Sequence, residues 1–168
     1  MNRLVIIRGN SGSGKSTAAK KLQKRLGPNT LLISQDTVRR EMLQVRDGPD
    51  TAALSLLMSL LRYGHENCEI TILEGILNAE WYFPLFEEAA RLFDNRIFAY
   101  YYDVTFEETL QRHQRRDKRR EFGEEEMRCW WREKDYIGFI PERTVTEDMS
   151  LEETVCKILS EIQEPGTE

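Results

Sequence analysis

The run Gly9-Asn10-Ser11-Gly12-Ser13-Gly14-Lys15-Ser16 fits the pattern G-x-x-x-x-G-K-[ST]. Glycines at this spacing let the main chain turn with its amides pointing inward, forming a concave nest for phosphate oxygens. A helix that follows directly adds free N-terminal amides and the positive end of its dipole. In such a loop Lys15 bridges β- and γ-phosphates, the Ser16 hydroxyl ligates Mg²⁺, and Thr17 reaches an α-phosphate. A glycine-rich turn with a chance Lys-Ser would share the composition but not the context, which is an apolar strand before and a helix after. The chemistry this predicts is binding of a nucleoside triphosphate.

The elements that hold this loop can be read from the pattern around it. Leu4–Ile7 reads as a buried strand, and Lys15 to Leu26 as an amphipathic helix stopped by Gly27-Pro28. Thr30–Ser34 is a second strand, followed by a charged helical segment from Thr37 to Gln44. After the Asp47-Gly48-Pro49 loop, Asp50 stands where it can cap a helix that is apolar nearly all round and stops near Gly64. Ile70–Leu73 is a third strand ending at Glu74-Gly75, Trp81 to Phe93 a helix, and Arg96–Tyr102 a fourth strand. Thr105-Phe106-Glu107-Glu108 spells a capping box opening a helix towards Arg116, and a further helix runs from Glu124 to Lys134. Thr144–Thr146 is a short last strand, and Ser150-Leu151-Glu152-Glu153 a second capping box opening a helix to Ile162. The strands are continuous apolar runs, as expected of a parallel sheet covered by helices on both faces.

The chain has 168 residues, with 24 Lys+Arg against 29 Asp+Glu and a net charge of −5. That length predicts one domain, 1–163, with a frayed tail over 164–168. The acidic balance argues against a dedicated duplex-DNA binder, because phosphate contacts need clustered positive charge. The three cysteines are far apart and form no CxxC, which fits a reducing, cytoplasmic setting better than a disulfide framework or a zinc site. No apolar stretch approaches the roughly 20 residues that span a bilayer, so no membrane association is expected.

Taken together, the phosphate loop, the strand–helix alternation and a basic segment before the last strand resemble the P-loop nucleoside, nucleotide and small-molecule kinases over nearly the whole chain. The resemblance implies an α/β fold with a five-stranded parallel sheet in the order 2-3-1-4-5 and a basic lid over about residues 112–123. The N-K-x-D guanine motif of GTPases is absent from the sequence.

Two carboxylates then become candidates for catalysis. Asp36 lies at the carboxyl end of strand 2, on the crevice side of an open α/β sheet, and a kinase needs a carboxylate to orient and deprotonate its acceptor. Arg39, one turn on, shares its face and is placed to hold the acceptor. This D-x-x-R resembles that of polynucleotide 5′-hydroxyl kinases and zeta-toxin-type kinases; the competing reading is that Asp36 is a helix N-cap. Glu74 ends an apolar strand, as in a Walker B segment, and Leu73-Glu74-Gly75-Ile76 is similar to the matching strand of uridine-kinase-like proteins. There Glu74 meets Mg²⁺ and Gly75 lets the substrate approach the backbone. Whether Asp36 or Glu74 is the base stays open at this point.

The segment from Arg112 to Arg120 occupies the lid position, where Arg112 and Arg116 share a helix face and stabilise charge on the transferring phosphoryl group. Read without the resemblance, it is a solvated helix end; next to Phe122, Trp130, Trp131 and Tyr136 it is also a candidate single-strand groove. Trp130 and Trp131 cannot share one helix side, and His113 reads as a surface histidine. The resemblance brings adenine near Thr144–Met149.

The expected function is transfer of the γ-phosphate of ATP, with Mg²⁺, to a hydroxyl of a nucleoside- or sugar-like small molecule by a monomer or homodimer. Site residues are Gly9 to Thr17 for the nucleotide, Ser16 and Glu74 for the metal, and Asp36, Arg39, Glu74 and Gly75 for the substrate. Lys15, Asp36, Arg112 and Arg116 are the catalytic set. The alternatives are a polynucleotide 5′-hydroxyl kinase, which makes nucleic acid the less expected partner, and a nucleotide-switched binding module.

Overall fold

The computed structural model describes residues 2–115 and 121–163. Strands β1 (Arg3–Gly9), β2 (Thr30–Ser34), β3 (Ile70–Gly75), β4 (Ile97–Asp103) and β5 (Glu142–Thr146) form one sheet in the order β2-β3-β1-β4-β5. All its pairings are parallel, with β1 central: Leu4 lies opposite Thr71 and Ile97, Ile6 opposite Leu73 and Ala99. This is the expected α/β architecture. The continuous apolar run of β1 has its explanation in the two cores. Leu4 and Ile6 point into the cluster under helices α2 (Ala53–Asn67) and α3 (Phe83–Phe93), while Val5 and Ile7 point into the cluster under α1 (Lys15–Leu26) and α6 (Leu151–Gln163). Helices α4 (Phe106–Gln114) and α5 (Glu124–Trp130) complete the described elements.

Local signals decided several boundaries. Ser150 and Glu153 form the full capping box, the Glu153 N–H donating to Ser150 Oγ at 3.2 Å and the Ser150 N–H to Glu153 Oε2 at 2.8 Å. At α4 only half the box forms. Thr105 Oγ1 accepts the Glu108 N–H, but Glu108 turns to Arg112, and Glu147 takes the Thr105 N–H instead. Asp50 does not cap α2; it sits at φ 60°, the helix begins after Ala52, and the Thr51 hydroxyl accepts the Ala53 N–H. That helix runs past Gly64 to Asn67, since one Gly costs only ~1 kcal/mol against a buried face. The charged segment after β2 is wound as a π-helix over Thr37–Leu43.

The least expected feature of the fold is Arg8, wholly buried in the central strand. Its guanidinium donates to the Leu77 carbonyl at 2.8 and 3.1 Å, to the Asp135 carbonyl at 2.8 Å, to Asp135 Oδ2 at 3.0 Å and to Glu142 Oε1 at 2.8 Å. The rings of Phe86 and Tyr101 lie against it. A charge taken out of water at this depth survives only when paired and fully hydrogen-bonded. Arg8 thereby ties the chain beyond β3 to the chain that returns between α5 and β5.

Candidate active site

The phosphate loop follows β1 and leads into α1 with the backbone its glycines were expected to allow. Gly12 has φ 79°, and a Cβ there would stand 2.7 Å from the Thr109 carbonyl oxygen, so only glycine lets α4 approach the loop. Lys15 is buried and its ammonium donates to the Asn10 carbonyl at 3.1 Å. Ser13 is buried, and its hydroxyl makes no hydrogen bond among the described residues. Asn10, read as a phosphate-loop residue, spends its side chain elsewhere. Its amide donates to the Arg132 carbonyl at 2.6 Å and its oxygen accepts the Arg132 N–H at 2.9 Å.

Glu74 is buried at the end of β3. Ser16 Oγ donates to its Oε2 at 3.0 Å, and Ser34 Oγ to its Oε1 at 2.5 Å. One carboxylate and two hydroxyls are hard oxygen donors, the kind that Mg²⁺ takes together with phosphate oxygens and waters. The residues therefore fit the metal that the phosphate loop implies. Ser34 is not marked out by the sequence, because a serine at a strand end carries no signal of its own.

Asp36 makes no capping hydrogen bond. Its Oδ1 instead faces Arg39 Nη2 at 3.3 Å and Arg40 Nε at 3.7 Å. Gln35, buried beside it, donates to Asp47 Oδ2 and the Tyr82 hydroxyl and accepts the Leu77 N–H. It is also the group pressed against Gly75, whose φ is 159° and whose missing Cβ would stand 2.6 Å from the Gln35 Cβ. Burial and the neighbouring Asp47 carboxylate hold the Tyr82 phenol well above its usual range, so it stays protonated and donates to Asp47 at 2.6 Å.

Two cavities flank the phosphate loop. One, of about 410 Å³, has Lys15, Ser16, Asp36, Arg39 and Glu74 on its walls and is within the size range of small-molecule sites. The other, of about 610 Å³, lies between Tyr102, Thr105, Trp131 and the turn Thr146-Glu147-Asp148. The two tryptophans divide between them: Trp130 lines the first and Trp131 the second. Arg132 borders both. This split was hidden from the sequence, which carried α5 on to Lys134; the helix ends at Trp130, and Asn10 holds the chain beyond it.

Arg112 reaches the phosphate loop, its Nη1 donating to the Ser13 carbonyl at 2.6 Å while Nε pairs with Glu108 at 2.7 Å. Arg116 lies outside the described residues. His113 is buried, not at the surface. Its ring stacks on Phe122 with centroids 4.5 Å apart, and its Nε2 lies 2.8 Å from the Phe122 carbonyl, so the two ends of the basic segment are closed on each other.

The fold is shared with several small-molecule kinases of known structure. A gluconokinase from Sinorhizobium meliloti 1021 is 17% identical, with a TM-score of 0.68 over 95% of this chain and 91% of that one. The Mycobacterium tuberculosis APS kinase CysC, solved with AMPPNP and APS, is 18% identical, with a TM-score of 0.64 over 97% and 98%. Shikimate kinase from Acinetobacter baumannii, solved with shikimate, is 18% identical, with a TM-score of 0.61 over 96% and 93%. No curated protein matches in sequence. Among the described residues no helix is long and apolar enough to cross a membrane. The model of one family, described as an AAA domain, matches residues 4–131. With the strand order and the phosphate loop in place, the chain belongs to that family of P-loop AAA-type domains.

Proposed function

We propose that this protein is a kinase that moves the γ-phosphate of ATP to a hydroxyl of a small molecule. The observation that carries the reading is the 410 Å³ cavity, because it joins the nucleotide groups Lys15, Ser16 and Glu74 to a second carboxylate, Asp36, on one wall. A nucleotide-binding switch has no need of an acceptor-sized chamber beside its γ-phosphate. The structural neighbours named above are kinases of small hydroxyl-bearing compounds, which supports the same class.

In this reading the loop amides and Lys15 hold the phosphates, and the adenine lies in the cavity bordered by Thr146-Glu147-Asp148. Ser16 and Glu74 would hold Mg²⁺, which would supply neutralisation of the phosphate charge. Asp36, aimed by Arg39, accepts the proton of the acceptor hydroxyl. That oxygen forms its bond to the γ-phosphorus as the bond to the β-γ bridging oxygen breaks, and ADP leaves with the electron pair. Arg112, on the phosphate loop, answers the charge that develops on the transferred group.

The test is acceptor-stimulated ADP release over a panel of nucleosides, sugars, sugar phosphates and short oligonucleotides. Stimulation by a small hydroxyl compound supports the reading. Stimulation by oligonucleotides alone replaces it with polynucleotide 5′-hydroxyl phosphorylation. Slow hydrolysis that no acceptor changes, with partner binding that depends on ATP, replaces it with a nucleotide-switched module.

A further inference from the structure

We infer that the acceptor is itself an anion, a phosphate monoester, and that Arg132 and Arg46 receive its phosphate. The inference rests on the kinase reading of the 410 Å³ cavity and narrows the class of compound that enters it.

Charge is the first argument. Apart from Lys15 and Glu74, which belong to the nucleotide end, the cavity walls carry four guanidiniums, Arg39, Arg40, Arg46 and Arg132, against two carboxylates, Asp36 and Asp47. Glu121 reaches Arg40 from outside at 3.5 Å and is mostly exposed. Asp47 is held by neutral donors, the Tyr82 hydroxyl, the Gln35 amide and the Gly48 N–H, and neutralises none of the arginines by direct contact. In a chain whose net charge is −5, a chamber with surplus positive charge is a local departure that points to its occupant.

Hydrogen bonding is the second. One oxygen of Asp36 serves both Arg39 and Arg40, at 3.3 and 3.7 Å, well beyond the 2.7–2.9 Å typical of a charge-assisted bond. Arg39 Nε and Arg40 Nε are both buried without any hydrogen-bond acceptor. The cluster is short of acceptor oxygens as well as of negative charge. Among the described residues, the guanidiniums of Arg46 and Arg132 form no ion pair.

Placement is the third. Arg132 does not sit on a mobile lid. The Asn10 side chain holds its main-chain N–H and carbonyl, and its guanidinium lies 5.5 Å from the centre of the Trp81 ring, on the wall of the same cavity. Its backbone is fixed before any ligand arrives, and arginine is the side chain whose planar fork matches phosphate oxygens. With Asp36 and Lys15 on the same walls, a compound anchored by its phosphate at Arg132 and Arg46 presents a hydroxyl towards the nucleotide.

The experiment keeps the phosphate loop filled with Mg²⁺ and a non-hydrolysable ATP analogue and follows the fluorescence of Trp81 and Trp130. The probes are inorganic phosphate, ribose and ribose 5-phosphate, glycerol and glycerol phosphate, and gluconate as a carboxylate. We expect inorganic phosphate to bind and each phosphorylated compound to bind at least ~10-fold more tightly than its neutral partner. Arg132→Met and Arg46→Met should each reduce that ratio towards one, and Arg46→Lys should restore part of it. Both arginines are exposed, so the variants leave the core untouched. Absence of phosphate binding, a ratio near one in the unaltered protein, a ratio that both Met variants retain, or a preference for gluconate overturns the inference. Tight phosphate-dependent binding without acceptor-stimulated ADP release leaves the anion site standing and sinks the kinase reading. Equal stimulation by neutral compounds and their phosphates does the reverse.

Discussion

The Asn10 side chain and the main chain of Arg132 are joined by two hydrogen bonds, of 2.6 and 2.9 Å, that imitate a pair of strands. A residue inside the phosphate loop therefore sets the position of the segment that borders both cavities. Asn10→Ala removes both bonds at ~0.5–1.5 kcal/mol each. It should destabilise the protein by about 1–3 kcal/mol in urea titration and raise amide hydrogen exchange at Arg132 above that at Ser150. Asn10→Asp keeps the acceptor for the Arg132 N–H but sets a carboxylate against the carbonyl, so it should not recover the loss. Unchanged exchange at Arg132 in Asn10→Ala would show that the segment is held by other contacts.

Asp36→Asn and Glu74→Gln separate the two carboxylates. The first keeps shape and removes the proton acceptor, so turnover should fall ~10²–10⁴-fold with Mg·ATP binding nearly unchanged. The second should shift the Mg²⁺ concentration needed for half-maximal rate, because Glu74 joins Ser16 and Ser34 rather than the arginines. Metal titration and single-turnover transfer on each variant distinguish the effects. If Asp36→Asn transfers normally while Glu74→Gln is dead at saturating metal, the roles are reversed.

Lys15→Ala should lower turnover by on the order of 10²–10³-fold, the loss typical for one preorganised charge-stabilising group, with melting little changed. Arg112→Ala should lower it less than the ~10³–10⁵ of an arginine finger, because Arg112 already spends bonds on Glu108 and the Ser13 carbonyl. Steady-state kinetics with saturating ATP measure both, and wild-type turnover in Lys15→Ala contradicts the nucleotide site.

Arg8→Met leaves the buried Glu142 carboxylate without its partner, and breaking a buried pair this way costs about 3–5 kcal/mol. Denaturant unfolding should register that loss. Arg8→Met combined with Glu142→Gln should recover part of it; failure to recover any would mean that the Leu77 and Asp135 contacts dominate.

Arg8 also marks the limit of what local sequence pattern specifies. The phosphate loop, β2 and α1 follow from local patterns, and the structure carries them almost to the residue; the sheet order came from the resemblance to P-loop kinases, and the structure has it. Arg8 sat at the end of an apolar strand with partners at Asp135 and Glu142, and no local periodicity links positions so far apart. The end of α5 at Trp130 was hidden for the same reason: Glu124 to Lys134 is good helix sequence, and a tertiary bond from Asn10 overrides it. Asp36 was legible as a candidate sharing a helix face with Arg39, yet nothing local in the sequence decides between the helix amides and the arginines, and in the structure its carboxylate turns to Arg39 and Arg40. The second cavity arginine, Arg46, lies in a loop where charge is ordinary, so only the chamber it borders distinguishes it.

The central place of β1 has a consequence for how the protein is made. The ribosome completes β1 before either of its neighbours, yet Arg3 pairs with Ile70 and Leu4 with Ile97. Until the chain has been extended that far, Leu4-Val5-Ile6-Ile7 has emerged with at least one edge bare, and a short β-branched run without charge or proline is the kind that pairs with strangers. Slowing translation between β1 and β4 should therefore lower the soluble yield more than slowing it after Asp103, although the finished molecule is the same.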